Sequence, residues 1–272
     1  MNQPMSKPMT VASLQMIATP DLERNLDIAQ RLIGRAAKQG ARMVLLPEYF
    51  CLMGHKDTDK LAIAEPFGSG PIQQFLADQA AVRNLHIVAG TLPITSEIDG
   101  RVYNTTLVFN PQGECTARYD KIHLFCFTKG DETYDEARVL LPGKTPVVAD
   151  IDGFKVGLSV CYDLRFPELY RAMGPVDLIV MPAAFTYTTG RAHWEVLMRA
   201  RAIENQCYVL ACGQGGVHEN GRRTWGHSMV VSPWGEVENV LEQGEGVVLG
   251  QLDPVKIVDV RNSLPALAHR VL

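Results

Sequence analysis

The chain has 272 residues, 46% of them hydrophobic and 21% charged, with a formal net charge of −4. This is an ordinary globular balance, and it gives neither nucleic acid nor an anionic membrane an electrostatic reason to bind. Positions 1–8 lack the apolar run of a secretory signal, and no segment approaches the ~20 apolar residues of a membrane span, so the expected setting is the cytoplasm.

The hydrophobic pattern alternates between strand and helix periods. Residues 10–16 alternate as a strand. Residues 21–38 carry Leu22, Leu26, Ala29, Ile33 and Ala36 at helical spacing, with Asp21 as a candidate cap. A short strand over 43–46 ends at Pro47. A helix over 72–83 and a strand over 86–90 follow. Strands over 102–109 and 115–119 flank the turn Asn110-Pro111-Gln112-Gly113 and predict a hairpin. Residues 127–137 are polar and loop-like, a candidate lid.

The second half repeats this order: a strand over 154–160, a helix starting at 167, a strand over 178–181 ended by Pro182, a helix over 192–205 and a strand over 207–212. Strands over 228–231 and 237–241 around Pro233-Trp234-Gly235 make another hairpin. Met43-Val44-Leu45-Leu46-Pro47 is similar to Leu178-Ile179-Val180-Met181-Pro182, and residues 108–114 are similar to 230–236. The expected fold is α/β, a four-layer α-β-β-α sandwich of two pseudo-symmetric halves, because sheet against sheet is the simplest way to bury both inner faces. No linker separates the halves, so residues 1–272 read as one domain.

Six cysteines stand at 51, 115, 126, 161, 207 and 212, without a Cys-x-x-Cys pair or a zinc-like spacing. Most read as small buried apolar residues. Cys161 closes the apolar strand Val156-Gly157-Leu158-Ser159-Val160 and precedes Tyr162-Asp163 and a helix. A strand-to-helix turn exposes a nucleophile at the sheet edge, and backbone N–H groups with the helix dipole favour a thiolate there. On position alone a buried structural cysteine is an equal reading. Glu48 and Lys121 also follow strand ends, where ligands of α/β sheets gather, although each alone reads as a solvated residue. Together they fit amide cleavage. Glu48 can take the thiol proton and pass it to the leaving amine, and Lys121 with the Tyr162 N–H can face an oxyanion.

Leu46-Pro47-Glu48, Tyr119-Asp120-Lys121-Ile122-His123-Leu124 and the run 157–169 around Cys161 resemble the three signatures of the nitrilase superfamily of carbon–nitrogen hydrolases. The likeness runs from about Val11 to Val258. It implies the four-layer sandwich, a Glu48-Lys121-Cys161 triad, a second glutamate carried to Glu136, and homodimers or larger homo-oligomers. It also implies that no metal or organic cofactor is needed. True nitrilases usually carry Trp-Glu after the nucleophile; Tyr162-Asp163 here, and the run 185–209, resemble instead amidases that act on small carboxylated 2-oxo amides. Arg191 departs from that branch, which usually has Pro.

Arg165 reads equally as a fork for a substrate carboxylate or as a structural partner of Glu168 or Glu195. Phe185 and Thr186 are candidate pocket wall, with Tyr162. His193 and Trp194 have ordinary packing spacing. His123 and His227 lack the local pattern of a cysteine–histidine protease. A non-catalytic binding subunit and a thiol redox protein are the rival classes. The expected partner is a small-molecule substrate.

Overall fold

The structure, a computed structural model, describes residues 7–130 and 132–271. In chain order the first half comprises β1 (Met9–Gln15), α1 (Leu22–Lys38), β2 (Met43–Leu45), α2 (Pro71–Arg83), β3 (His86–Val88), β4 (Leu92–Thr95), β5 (Val102–Phe109), β6 (Cys115–Asp120), β7 (Cys126–Lys129), β8 (Glu132–Asp135) and β9 (Leu140–Leu141). The second comprises β10 (Val148–Ile151), β11 (Phe154–Leu158), α3 (Pro167–Ala172), β12 (Leu178–Ala183), α4 (Tyr187–Asn205), β13 (Tyr208–Gly213), β14 (Ser228–Val231), β15 (Val237–Leu241), β16 (Gly246–Leu252) and α5 (Pro254–Ser263).

Two mixed sheets organise the molecule. One runs β16-β1-β2-β3-β5-β4, with β6 and β9 also on β5; the other runs β10-β11-β12-β13-β14-β15. Their pairing is the same strand for strand. Three parallel strands (β1-β2-β3 and β11-β12-β13) are followed by two antiparallel ones (β5-β6 and β14-β15). An antiparallel strand lies on the outer side of the first, β16 on β1 and β10 on β11. Both local sequence repeats fall on equivalent places, at β2 and β12 and at the two hairpin turns. Strand β16 lay outside the sequence expectation. It belongs to the sheet of the first half, so the last strand of the chain ties the two ends together.

The parallel strands are apolar on both faces, as burial on both faces requires. In β1, Met9 and Val11 join a cluster with Leu158, Val180 and Met181 of the other sheet, whereas Ala12 and Leu14 join Ile28, Leu32 and Leu76 of α1 and α2. Asp21 caps α1, its Oδ1 accepting the Arg24 N–H at 3.0 Å. Helix α4 begins at Tyr187 rather than 192, capped by Thr186. Its first turn was obscured by Gly190, which is required because a Cβ there would stand 2.3 Å from Cβ of Trp225. Residues 127–137 form the β7–β8 hairpin and a 3-10 turn, Glu136–Arg138, rather than a loop; Asp131 lies outside the described residues. Among the described residues no helix is long and apolar enough to cross a membrane.

Gly90 positions the site from behind. Its φ is 52°, and a Cβ there would approach the Pro47 carbonyl to 2.1 Å, next to Glu48. Gly90→Ala is expected to cost about 2 kcal/mol or more in urea unfolding, from the left-handed backbone and the clash. An unchanged midpoint would contradict this packing.

Candidate active site

Glu48 lies just past β2, 1% exposed. Its Oε1 accepts from Lys121 Nζ at 2.9 Å and Asn104 Nδ2 at 2.9 Å, and its Oε2 from the Ala184 N–H at 2.8 Å. Lys121, fully buried past β6, is held by its own backbone: its N–H donates to Asn104 O and its carbonyl accepts from Gly143 N. Its Nζ also donates to Glu136 at 2.8 and 3.0 Å. Glu136 opens the turn after β8 and accepts further from the Phe125 N–H at 2.7 Å and the Tyr49 hydroxyl at 2.8 Å.

One ammonium thus lies between two carboxylates. Burial alone would lower the Lys121 pKa, but Glu136 and Glu48 carry it well above its ordinary value, so it stays charged. Burial works to raise the Glu136 carboxyl; Lys121 and the Phe125 N–H outweigh it and hold it below its ordinary value. Burial, with Glu136 next, raises the Tyr49 phenol, which stays protonated as a donor.

Cys161 follows β11 at the start of a 3-10 turn, Cys161–Arg165, with φ at 49°. It is 8% exposed and lines the same pocket as Glu48 and Glu136. The sequence suggested a thiolate. Instead burial, and then Glu48, raise the thiol well above its ordinary value despite Lys121. The resting group is a thiol, and it requires a base.

Asp163 fixes this turn and was not singled out from the sequence. Its Oδ2 accepts from the Val160 N–H at 2.9 Å and the Tyr119 hydroxyl at 2.7 Å; its Oδ1 meets His123 N at 3.0 Å and Nδ1 at 2.7 Å. The available signal was an acid two residues after a strand-end cysteine, where its side chain can reach back to the strand. Asp163→Ala is expected to destabilise by about 3 kcal/mol, since it strips buried donors of a charged acceptor. Asp163→Asn should recover part of that; equal losses for the two would assign the effect to volume.

Glu48, Glu136 and Cys161 line one pocket with Tyr49, Tyr162, Phe185 and Thr186. Lys121 lies behind its wall. Arg165 does not line it. Its guanidinium stands over the Tyr162 and Phe185 rings and bonds His193, and it forms no ion pair with Glu168 or Glu195. Arg191 faces a separate surface hollow beside Trp225 and His227. Trp194 is core, its Nε1 donating to His227 O. The cations that line the pocket are Lys60, Arg222 and Arg223, none of them anticipated because all three lie outside the strand-end motifs.

A thiol facing a carboxylate, with an ammonium buried alongside, is equipped for acyl transfer through a thioester. Residues 10–262 match the family model of carbon–nitrogen hydrolases. A deaminated glutathione amidase from Synechocystis sp. is 42% identical, covering 97% of this chain and 99% of its own length. The chloroplastic omega-amidase of Arabidopsis thaliana is 36% identical over 94% of this chain and 70% of its own. A solved Saccharomyces cerevisiae member of branch 10 of the nitrilase superfamily superposes with a TM-score of 0.88 at 30% identity, covering 100% of this chain and 99% of that one. The chain therefore belongs to the carbon–nitrogen hydrolase family of the nitrilase superfamily. Within it, the chain is an amidase.

Proposed function

We propose that this amidase uses Cys161 as nucleophile, Glu48 as general acid and base, and Lys121 as the charge that faces the oxyanion. Its substrate is a small carboxylated 2-oxo amide, deaminated glutathione, split into 2-oxoglutarate and cysteinylglycine. Cys161, Glu48 and Glu136 in one pocket, with Lys121 bonded to both acids behind its wall, carry the reading, and similarity to relatives named as deaminated glutathione amidases supports the substrate.

Glu48 takes the Cys161 proton as sulfur attacks the amide carbonyl. The oxyanion forms beside the Lys121 charge and the Tyr162 N–H, which sits in a first helical turn where N–H groups lack partners within the helix. Glu48 then protonates the nitrogen, the C–N bond breaks, and the amine leaves a thioester. Water, deprotonated by Glu48, attacks the thioester; the acid departs and the thiol regains its proton. Glu136 keeps Lys121 charged and in place. Tyr162, Phe185 and Thr186 wall the substrate.

The whole chain, residues 1–272, acts in this reading as one domain. We read its layers as helix–sheet–sheet–helix, in two pseudo-symmetric halves. A homodimer or larger homo-oligomer belongs with it, and the exposed Val196, Ile203 and Trp234 are the surface such an assembly would cover.

The second reading, an omega-amidase acting on 2-oxoglutaramate, draws on similarity to the Arabidopsis thaliana omega-amidase. Values of kcat/KM for both amides on one preparation separate the two. A preference of about a hundredfold, ~2.7 kcal/mol, for deaminated glutathione is expected, and the reverse preference would establish the second reading. Arg165→Gln is expected to change KM less than about threefold, because its guanidinium is engaged on the Tyr162 and Phe185 rings and does not itself line the pocket. A tenfold rise would return Arg165 to substrate binding.

A further inference from the structure

Cys161 and its partners account for bond cleavage but not for choice of substrate. The Lys121 ammonium is held between two carboxylates behind the pocket wall and serves the oxyanion, so it is not placed to take a substrate carboxylate. Of the three cations lining the pocket, Arg222 is also satisfied, with Nη2 2.8 Å from Asp57 Oδ1. Lys60 and Arg223 differ. Among the described residues neither forms an ion pair with a carboxylate, and each is seated on an aromatic ring instead. The Lys60 Nζ stands 4.8 Å from the centroid of Tyr49, and the Arg223 guanidinium 3.5 Å from that of Tyr187. The remaining acid of the wall, Asp135, is paired with Arg138. Two cations seated on rings and in no ion pair, in the wall of a reaction pocket, are sites for anionic groups.

Their depths differ. Lys60 is partly buried on the ring whose hydroxyl serves Glu136, and burial lowers its pKa, as expected of an ammonium set into the wall. Arg223 is exposed, at the solvent end. In a thioester mechanism the amine departs while the acyl group stays bound. The amine side must therefore face solvent, and the acyl side the interior.

We propose that Lys60 and Arg223 select amides bearing a carboxylate on each side of the scissile bond, Lys60 taking the acyl-side carboxylate and Arg223 that of the leaving amine. This rests on the amidase reading given above.

Two pairs of substrates test it. One pair is 2-oxoglutaryl-cysteinylglycine with its terminal carboxyl free or amidated. The other is 2-oxoglutaramate with its carboxylate free or methyl-esterified. In the unmodified enzyme, kcat/KM should favour the free acid by about tenfold or more in each pair, the worth of a hydrogen bond to a charged group. Lys60→Met should bring the second ratio towards one and leave the first standing, while Lys60→Arg keeps both. Arg223→Leu should collapse the first ratio and leave the second standing. Ratios that survive in both variants, or collapse in the opposite ones, would overturn the assignment while leaving the amidase intact. Failure of the unmodified enzyme to cleave any of the four would overturn both the assignment and the proposed substrate, leaving the amidase class standing.

Discussion

Cys161→Ala is expected to abolish amide turnover, with kcat reduced at least ~10⁴-fold, because in nucleophile–base units removing one member costs about as much as removing all. The fold should survive. The side chain is small, and the turn is held by Asp163 through Val160, Tyr119 and His123 rather than by the sulfur. Burial and Glu48 keep the thiol neutral at rest, so its removal takes away no charge and thermal stability should stay level. A variant that unfolds would show the sulfur to be structural. A folded variant that keeps turning over amide would require another nucleophile in the pocket, where the described lining residues offer only hydroxyls, acids and the Lys60 amine.

Lys121→Met should be the most damaging single change to site and fold together. Loss of one oxyanion donor costs ~10²–10³ in kcat, and here the charge that balances two buried acids goes too. Breaking a buried ion pair by removing one partner costs about 3–5 kcal/mol. The pH dependence gives a separate check. In the parent protein Glu136 is held below its ordinary carboxyl value, so its stabilisation is present above that value and lost as the pH falls through the lowered one. In Lys121→Met the Glu136 carboxyl loses the ammonium that chiefly offsets its burial, and burial raises it. Such groups stabilise below their unfolded pKa and lose that contribution as the pH rises. Urea unfolding between pH 4 and pH 8 should therefore show the variant weakening with pH where the parent does not. Parallel curves would contradict the buried three-charge arrangement.

Much of this architecture could be read from residue order. The strand-proline repeats at positions 43 and 178 and the two turn repeats locate equivalent elements of the two sheets, because apolar runs ended by proline have few other solutions. The meeting of Glu48, Lys121 and Cys161 was legible as three strand ends. What escaped depends on long-range contact. Strand β16 has a strand pattern only in the light of its pairing with β1. The first turn of α4 looks like a loop until Trp225 packs on Gly190. Arg165, four residues after Cys161, read equally as a substrate fork and as a structural ion pair, but it stands over the Tyr162 and Phe185 rings, outside the pocket lining and without an acid partner among the described residues. Lys60 and Arg223 carry no local signal, since a lysine on a short polar turn and an arginine in a loop resemble any solvated surface.

The covalent intermediate is the centre of the account. Rapid acid quenching during turnover of 2-oxoglutaryl-cysteinylglycine, followed by intact mass and peptide mapping, tests it most directly. The account predicts a 2-oxoglutaryl adduct on Cys161, formed before acid is released and missing in Cys161→Ala. No adduct at any time in an enzyme that is turning over, or an adduct that persists in Cys161→Ala, would contradict it.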